Sequence, residues 1–139
     1  MKVNDSIKEK TKENLIKKLD YWYDNSQFDK IIDKVLEIPK DERDYETSSY
    51  LIKAYNSIEK FHSAIEELSL IKDKGEKDPL WHFRLGFAYL NIERYDEALK
   101  EYEIAHQLDE NNQIIKANLE SLKIDLFFGK NFLEDDINT

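Results

Sequence analysis

Histidines, acidic residues, serines and glycines are the residues through which this chain of 139 residues could perform chemistry. The three histidines, His62, His82 and His106, have no cysteine partner and no HExxH spacing, so they form no recognisable zinc motif. The glycines stand singly, whereas phosphate-binding loops need several close together. No serine lies in the Gly-x-Ser-x-Gly context of a nucleophile elbow. We therefore expect no catalytic residue, no metal site and no cofactor.

The composition describes a highly charged chain whose few turn residues favour helices. Hydrophobic residues make up 40% and charged residues 37%, but there are only three glycines and two prolines. A β-sandwich or barrel needs a turn signal about every 8–12 residues, so long helices joined by short turns remain. The absence of cysteine excludes a disulfide framework. At this length, we expect a single domain over residues 1–139.

The net charge of −9 restricts the classes of partner. A nucleic-acid binder must present a basic surface to phosphates, and an anionic membrane also attracts basic proteins. We therefore expect neither nucleic acid nor membrane as a partner. No apolar run approaches the roughly 18 residues that span a bilayer, and the first residues lack the apolar stretch of a secretory signal. A cytoplasmic location is the expectation.

An internal repeat organises the chain. Residues 51–67 and 85–101 are offset by 34 positions and agree at seven of them: Leu51/Leu85, Ala54/Ala88, Tyr55/Tyr89, Ile58/Ile92, Glu59/Glu93, Ala64/Ala98 and Glu67/Glu101. A weaker copy upstream, at an offset of 33, aligns Trp22 with Tyr55 and Phe28 with Phe61. The agreement concentrates on apolar and turn positions, so we expect each copy to be one structural unit.

Local signals predict the helix boundaries. Seven helices are expected near 6–24, 28–38, 42–57, 61–73, 79–91, 95–108 and 112–128. Asp78 and Pro79 are typical of an N-cap followed by the first helical position. Pro39 should end the second helix. Gly75 is expected as a left-handed C-cap, and Gly129 should end the last helix in the same way.

The copy at 79–112 places small residues at Gly86 and Ala98 and aromatic residues at Tyr89, Tyr95 and Tyr102. This pattern resembles the tetratricopeptide repeat, a helix-turn-helix unit of 34 residues. The resemblance implies an all-α, right-handed superhelical solenoid. It would consist of repeats near 12–44 (degenerate), 45–78 and 79–112, a capping helix near 112–128 and a tail over 129–139.

The resemblance also implies a protein–protein interaction module, an adaptor or scaffold that binds a peptide or protein segment in its concave groove. Carried over by position, the groove residues are Ser49, Lys53 and Asn56 in the second copy, and Phe83, Phe87 and Leu90 in the third. The first copy would add Glu13, Ile16, Asp20, Tyr23 and Asp24. Phe83 and Phe87 are four residues apart and form one aromatic ledge, which either contacts a partner or packs under the terminal helix.

The family's two-carboxylate clamp for acidic chaperone tails is not expected. Its lysine and asparagine in the first repeat are replaced here by Ile16 and Asp20, and Leu80 stands where another clamp lysine belongs. Two other functions stay open. The chain could self-associate, as a homodimer for example, through its apolar C-terminal segment. It could instead neutralise a basic partner, with the net charge of −9 steering association.

Two aromatic features fall outside the repeat pattern. Trp81 lies one position before the place where the family usually has tryptophan, and we expect it at an inter-repeat seam or on an exposed rim. The segment 127–133 is more apolar than a cap needs. It could fold back onto the stack, fill the groove or form a dimer contact, and folding back is the favoured interpretation.

Overall fold

The computed structural model describes the backbone of residues 2–138 and the side chains of residues 8–129. Within these residues the chain is helical and contains no strand. The α-helices are α1 (Lys2–Asp24), α2 (Phe28–Leu36), α3 (Tyr45–Ser57), α4 (Phe61–Leu70), α5 (Lys72–Gly75), α6 (Pro79–Asn91), α7 (Tyr95–Leu108) and α8 (Gln113–Asn138), and a 3₁₀ turn covers Lys40–Glu42. The expected all-α class is therefore confirmed.

Helices α3 and α6, the first helices of the second and third copies, begin at aspartate N-caps. The Asp44 carboxylate accepts the N–H of Thr47 at 2.9 Å, and that of Asp78 accepts the N–H of Leu80 at 2.9 Å. Pro79 occupies the first position of α6, as predicted. Because each cap satisfies an N–H group that has no partner within the helix, it fixes where the helix begins.

The chain divides into two compact units, with the boundary between Glu67 and Leu68 inside α4. The core of the first unit contains buried residues of α1, α2 and α3: Leu19, Ile31, Val35, Tyr50, Leu51 and Ala54. One core cluster of the second unit joins α7 to α8 through Ala98, Tyr102, Leu119 and Leu122. These residues recur every three or four positions, so each helix presents one apolar face to its neighbours.

Each copy of the repeat turns from its first helix to its second through one residue in the left-handed region. These residues have φ of 56°, 65° and 65° and are Ser26, Glu59 and Glu93. In the second copy, the N–H of Lys60 donates to the carbonyl of Tyr55 at 2.8 Å, and that of Glu59 donates to Asn56 at 3.3 Å. This pair of hydrogen bonds is a Schellman motif, which normally has glycine at the left-handed position.

Replacing Glu93 with glycine should therefore raise the free energy of unfolding by about 1 kcal/mol, because glycine adopts a positive φ without the steric cost of a Cβ. Urea denaturation of the full chain measures the change. Lys100→Gly is the matched control: Lys100 is exposed within α7, and glycine in a helix interior costs about 1 kcal/mol. Destabilisation by both substitutions would contradict the role of the turn.

The prediction for Gly75 is wrong, and of the two places expected for Trp81 the structure shows the seam between the second and third copies rather than an exposed rim. The expected helix over 61–73 is interrupted at Ile71, and Gly75 is the last residue of the separate helical turn α5. No glycine in the described backbone has a positive φ. Gly75 instead provides space for the Trp81 ring, which a Cβ at this position would overlap. Trp81 is only 4% exposed, and its indole N–H donates to the Leu68 carbonyl at 3.0 Å.

The end of the last helix also differs from the prediction. Helix α8 continues past Gly129 to Asn138, because a single glycine lowers helix stability by only about 1 kcal/mol and does not stop a helix. Folding back is wrong for Phe127 and Phe128, which are 62% and 64% exposed. The side chains of residues 130–133, the rest of that apolar segment, lie outside the described residues.

Candidate functional site

Helices α1 and α3 lie side by side in the first unit, and three contacts between them fix their direction. The Lys12 ammonium is 2.7 Å from a carboxylate oxygen of Asp44. Further along both helices, the Tyr50 hydroxyl donates to the Asp20 carboxylate. Still further, the ring of Tyr23 contacts the Lys53 ammonium. Because the contacts follow in the same order on both helices, α1 and α3 are parallel. We call the surface along these contacts the α1/α3 face.

The α1/α3 face contains a groove of about 430 Å³ near its Lys12 end. Its lining residues are Glu9, Lys12, Glu13, Ile16, Lys17 and Glu46. Ile16 is the apolar member and also packs on the core of the first unit. The walls are charged, with three carboxylates and two ammonium groups. A groove with one apolar contact and polar walls can accept a side chain and orient the polar groups beside it.

Lys12 joins the two helices at this end. Its ammonium contacts the carboxylates of Asp44 at 2.7 Å and Glu46 at 3.6 Å. Hydrogen bonding to Asp44 raises the pKa of Lys12. Burial works to raise the pKa of Asp44, but the hydrogen bonds from Lys12 and Thr47 outweigh it and the pKa is lowered. Both groups therefore stay charged at neutral pH, and Lys12 is neutralised by its own neighbours.

The other end of the face holds a lysine between two aromatic rings. The Lys53 ammonium lies 4.2 Å from the ring centroid of Tyr23 and 4.3 Å from that of Tyr50. Tyr50 is fixed by its hydrogen bond to Asp20. Burial, followed by that hydrogen bond, raises the pKa of the Tyr50 hydroxyl, which therefore remains a neutral donor. Cation–π contacts of this kind hold a positive charge at a defined place.

The predicted groove residues of the second copy differ in accessibility. Lys53 is half-buried between the two tyrosines. The hydroxyl of Ser49 donates to the Tyr45 carbonyl of its own helix at 2.8 Å. Asn56 is only 8% exposed. The structure thus brings Lys53 together with Tyr23, a groove residue predicted for the first copy, while Ser49 and Asn56 present little to a ligand.

The predicted residues of the third copy lie in the second unit. Phe83 stacks on Tyr102, with ring centroids 5.4 Å apart and an interplanar angle of 22°. Phe83 and Leu90 both pack on the cluster that contains Leu119 of α8. Phe87 is half-buried. Phe83 and Leu90 therefore pack beside α8, which for Phe83 is one of the two arrangements expected of the aromatic ledge.

The sequence model of a protein family described as Tetratricopeptide repeat matches residues 79–112, which are the third copy. The third copy thus has the sequence of a tetratricopeptide repeat. Its fold is also similar to the NMR structure of the first TPR domain of the human RPAP3 protein, with a TM-score of 0.72 and 22% identity. That likeness covers 83% of this chain and 91% of the other. No curated protein sequence matches this chain.

The tetratricopeptide repeat of the third copy contains the histidine that is most enclosed. His82 occupies the position where the family usually has tryptophan and is 6% exposed. Its Nδ1 lies 2.6 Å from a carboxylate oxygen of Glu101, and its Nε2 lies 2.9 Å from the carbonyl of Glu76. His82 thus joins α6 to α7 through Glu101. Within residues 8–129, no group of three or more histidine, cysteine or carboxylate side chains is arranged to hold a metal ion.

Several residues of the α1/α3 face were missed by sequence reasoning. The predicted groove residues did not include Glu9, Lys12, Lys17 or Tyr50. Glu9, Lys12 and Ile16 are spaced by three and four residues, so they lie on one side of α1. That spacing could have identified them once Ile16 was placed in the groove. Among the helices of the described residues, none combines the length and apolarity needed to cross a membrane.

Proposed function

We propose that this protein is a non-catalytic adaptor that binds a segment of a partner protein along its α1/α3 face. The fold is that of a protein–protein interaction module. The observation that supports this location is the groove of about 430 Å³ between α1 and α3, the first helices of their repeats. Peptide binding at such a face requires no chemistry from the protein beyond shape, charge and apolar contact.

The contacts across the face support binding through preorganisation. Lys12 is held by Asp44, Tyr50 by Asp20, and Lys53 by the rings beside it. A surface whose side chains are already fixed loses little conformational entropy when a partner binds, so more of the contact energy contributes to affinity. Of the six groove residues predicted for the second and third copies, we propose Phe87 as a direct contact within its own unit and Lys53 as the residue that fixes the rings of Tyr23 and Tyr50 on the α1/α3 face.

Selection of a random-peptide phage library against the full chain tests this function. Selected peptides should bind and protect backbone amides of α1 and α3 from hydrogen exchange. Glu13→Trp places a large ring in the groove and should weaken binding by roughly tenfold, about 1.4 kcal/mol. Lys30→Trp, on the exposed surface of α2, is the matched control and should bind normally. Phe87→Ala removes the contact proposed in the second unit and should also weaken binding in this assay. Failure to select any peptide, or protection only of the second unit, would refute the proposal.

Self-association is a second candidate, favoured by apolar residues exposed on α8. Ile124, Phe127 and Phe128 are 54%, 62% and 64% exposed, whereas terminal helices of repeat proteins usually present a polar outer surface. A homodimer through α8 would cover them. Sedimentation of the full chain over a range of concentrations should then give twice the monomer mass, and Phe128→Glu should return it to the monomer. A wild-type chain that is monomeric throughout would rule this out.

A further inference from the structure

We propose that the segment bound on the α1/α3 face is basic and places a lysine or arginine side chain in the groove beside Glu9 and Glu13. This inference rests on the proposed function, since it names the chemistry of the partner at the same surface. Two features of the face carry it: the balance of charge and the state of its own lysines.

Carboxylates outnumber ammonium groups along the whole face. The groove is lined by Glu9, Glu13 and Glu46, and the contacts between the helices add Asp20 and Asp44. Asp24 is also close enough to act electrostatically on Tyr50. Three lysines oppose these six acids: Lys12, Lys17 and Lys53. A face with this balance attracts a cationic segment and disfavours an acidic one.

Two of the three lysines already have partners on the face. Lys12 contacts both Asp44 and Glu46, and Lys53 lies between two tyrosine rings. An incoming acidic side chain would therefore meet ammonium groups that the protein itself has neutralised or enclosed. Glu9 and Glu13 form no ion pair within residues 8–129, so they are the carboxylates available to a partner.

Lys53 shows how the face holds a cation. Its ammonium lies within 4.3 Å of both ring centroids, and the Asp20 carboxylate binds the hydroxyl of one of those rings. Aromatic rings backed by a carboxylate attract positive charge and repel negative charge. Because Lys53 already fills this site, an incoming basic side chain is attracted instead to the unpaired carboxylates of Glu9 and Glu13 in the groove.

Fluorescence anisotropy with two labelled probe peptides tests this directly. One probe alternates lysine with leucine, and the other has glutamate in place of every lysine. The full chain should bind the lysine probe, and Glu9→Gln/Glu13→Gln should weaken that binding about fivefold. Asp29→Asn/Asp33→Asn makes the same change in net charge on exposed residues of α2 and should leave binding unchanged. Raising the salt concentration from about 0.05 M to about 0.5 M should weaken the wild-type complex.

The outcomes separate this inference from the proposed function. Equal binding of both probes, or equal weakening by the two charge variants, would overturn the basic-segment inference. The phage selection gives the other comparison. Selected peptides that protect α1 and α3 but are not enriched in lysine or arginine would also overturn the inference while leaving the proposed function standing. Failure to select any peptide would count against the proposed function itself.

Discussion

Replacing Gly75 with alanine should lower the free energy of unfolding by about 3 kcal/mol. The added Cβ would overlap the five-membered ring of Trp81, which is a rigid and buried group. Moving the ring would also disturb the hydrogen bond from its N–H to the Leu68 carbonyl. Urea denaturation followed by circular dichroism measures the loss.

Gly129→Ala is the matched control, because it makes the same substitution at another helical glycine. No atom lies within 4 Å of a Cβ built at Gly129, so alanine there should stabilise α8 by up to about 1 kcal/mol. In a Trp81→Ala background, the cost of Gly75→Ala should largely disappear, since the ring that causes it is gone. A cost that persists without Trp81 would show that another contact is responsible.

Removing one partner of the His82–Glu101 pair should lower the free energy of unfolding nearly as much. Glu101→Leu should cost about 3 kcal/mol, because the buried imidazole Nδ1 would lose its only oxygen neighbour described at hydrogen-bond distance. His82→Leu should cost a similar amount by leaving the Glu101 carboxylate enclosed. The double variant should lose less than the sum, because two leucines leave neither a charge nor a polar nitrogen unsatisfied.

The ion pair between Arg94 and Glu97 provides the comparison for this experiment. It also joins residues of the third repeat, but both side chains are about half-exposed. Glu97→Leu should therefore change the free energy of unfolding by less than about 1 kcal/mol. Strictly additive costs for His82→Leu and Glu101→Leu would contradict the direct coupling of the two side chains.

Much of the fold was predictable because the repeat is carried by local and neighbouring contacts. The offset of 34 residues placed Glu59 and Glu93 at equivalent positions, and the structure gives them the same left-handed turn. The N-cap at Asp78 depends only on the next few residues and was predicted correctly. The sequence also repeats a glutamate at 67 and 101, but it gave no sign that His82 would be the partner of Glu101.

The error at Gly75 has a physical cause in tertiary packing. A glycine after a helix can serve a left-handed cap or a close contact, and the sequence pattern is the same for both. For Gly75 the choice depends on Trp81, whose position is set by tertiary packing. The side chains of the candidate site show the same dependence. The spacing correctly placed Phe83 on the first helix of its repeat. How much of its ring a ligand could contact depends on the packing of Tyr102 and α8 against it, which the spacing does not show.

The three left-handed turns are positions at which substitution should make this protein more stable. Ser26, Glu59 and Glu93 each hold a side chain where glycine would be less strained, and they share no partner. Replacing all three with glycine should therefore raise the free energy of unfolding nearly additively, by roughly 3 kcal/mol in total. A chain stabilised in this way would tolerate several groove substitutions without unfolding. The turns thus offer a practical background in which to vary the binding surface freely.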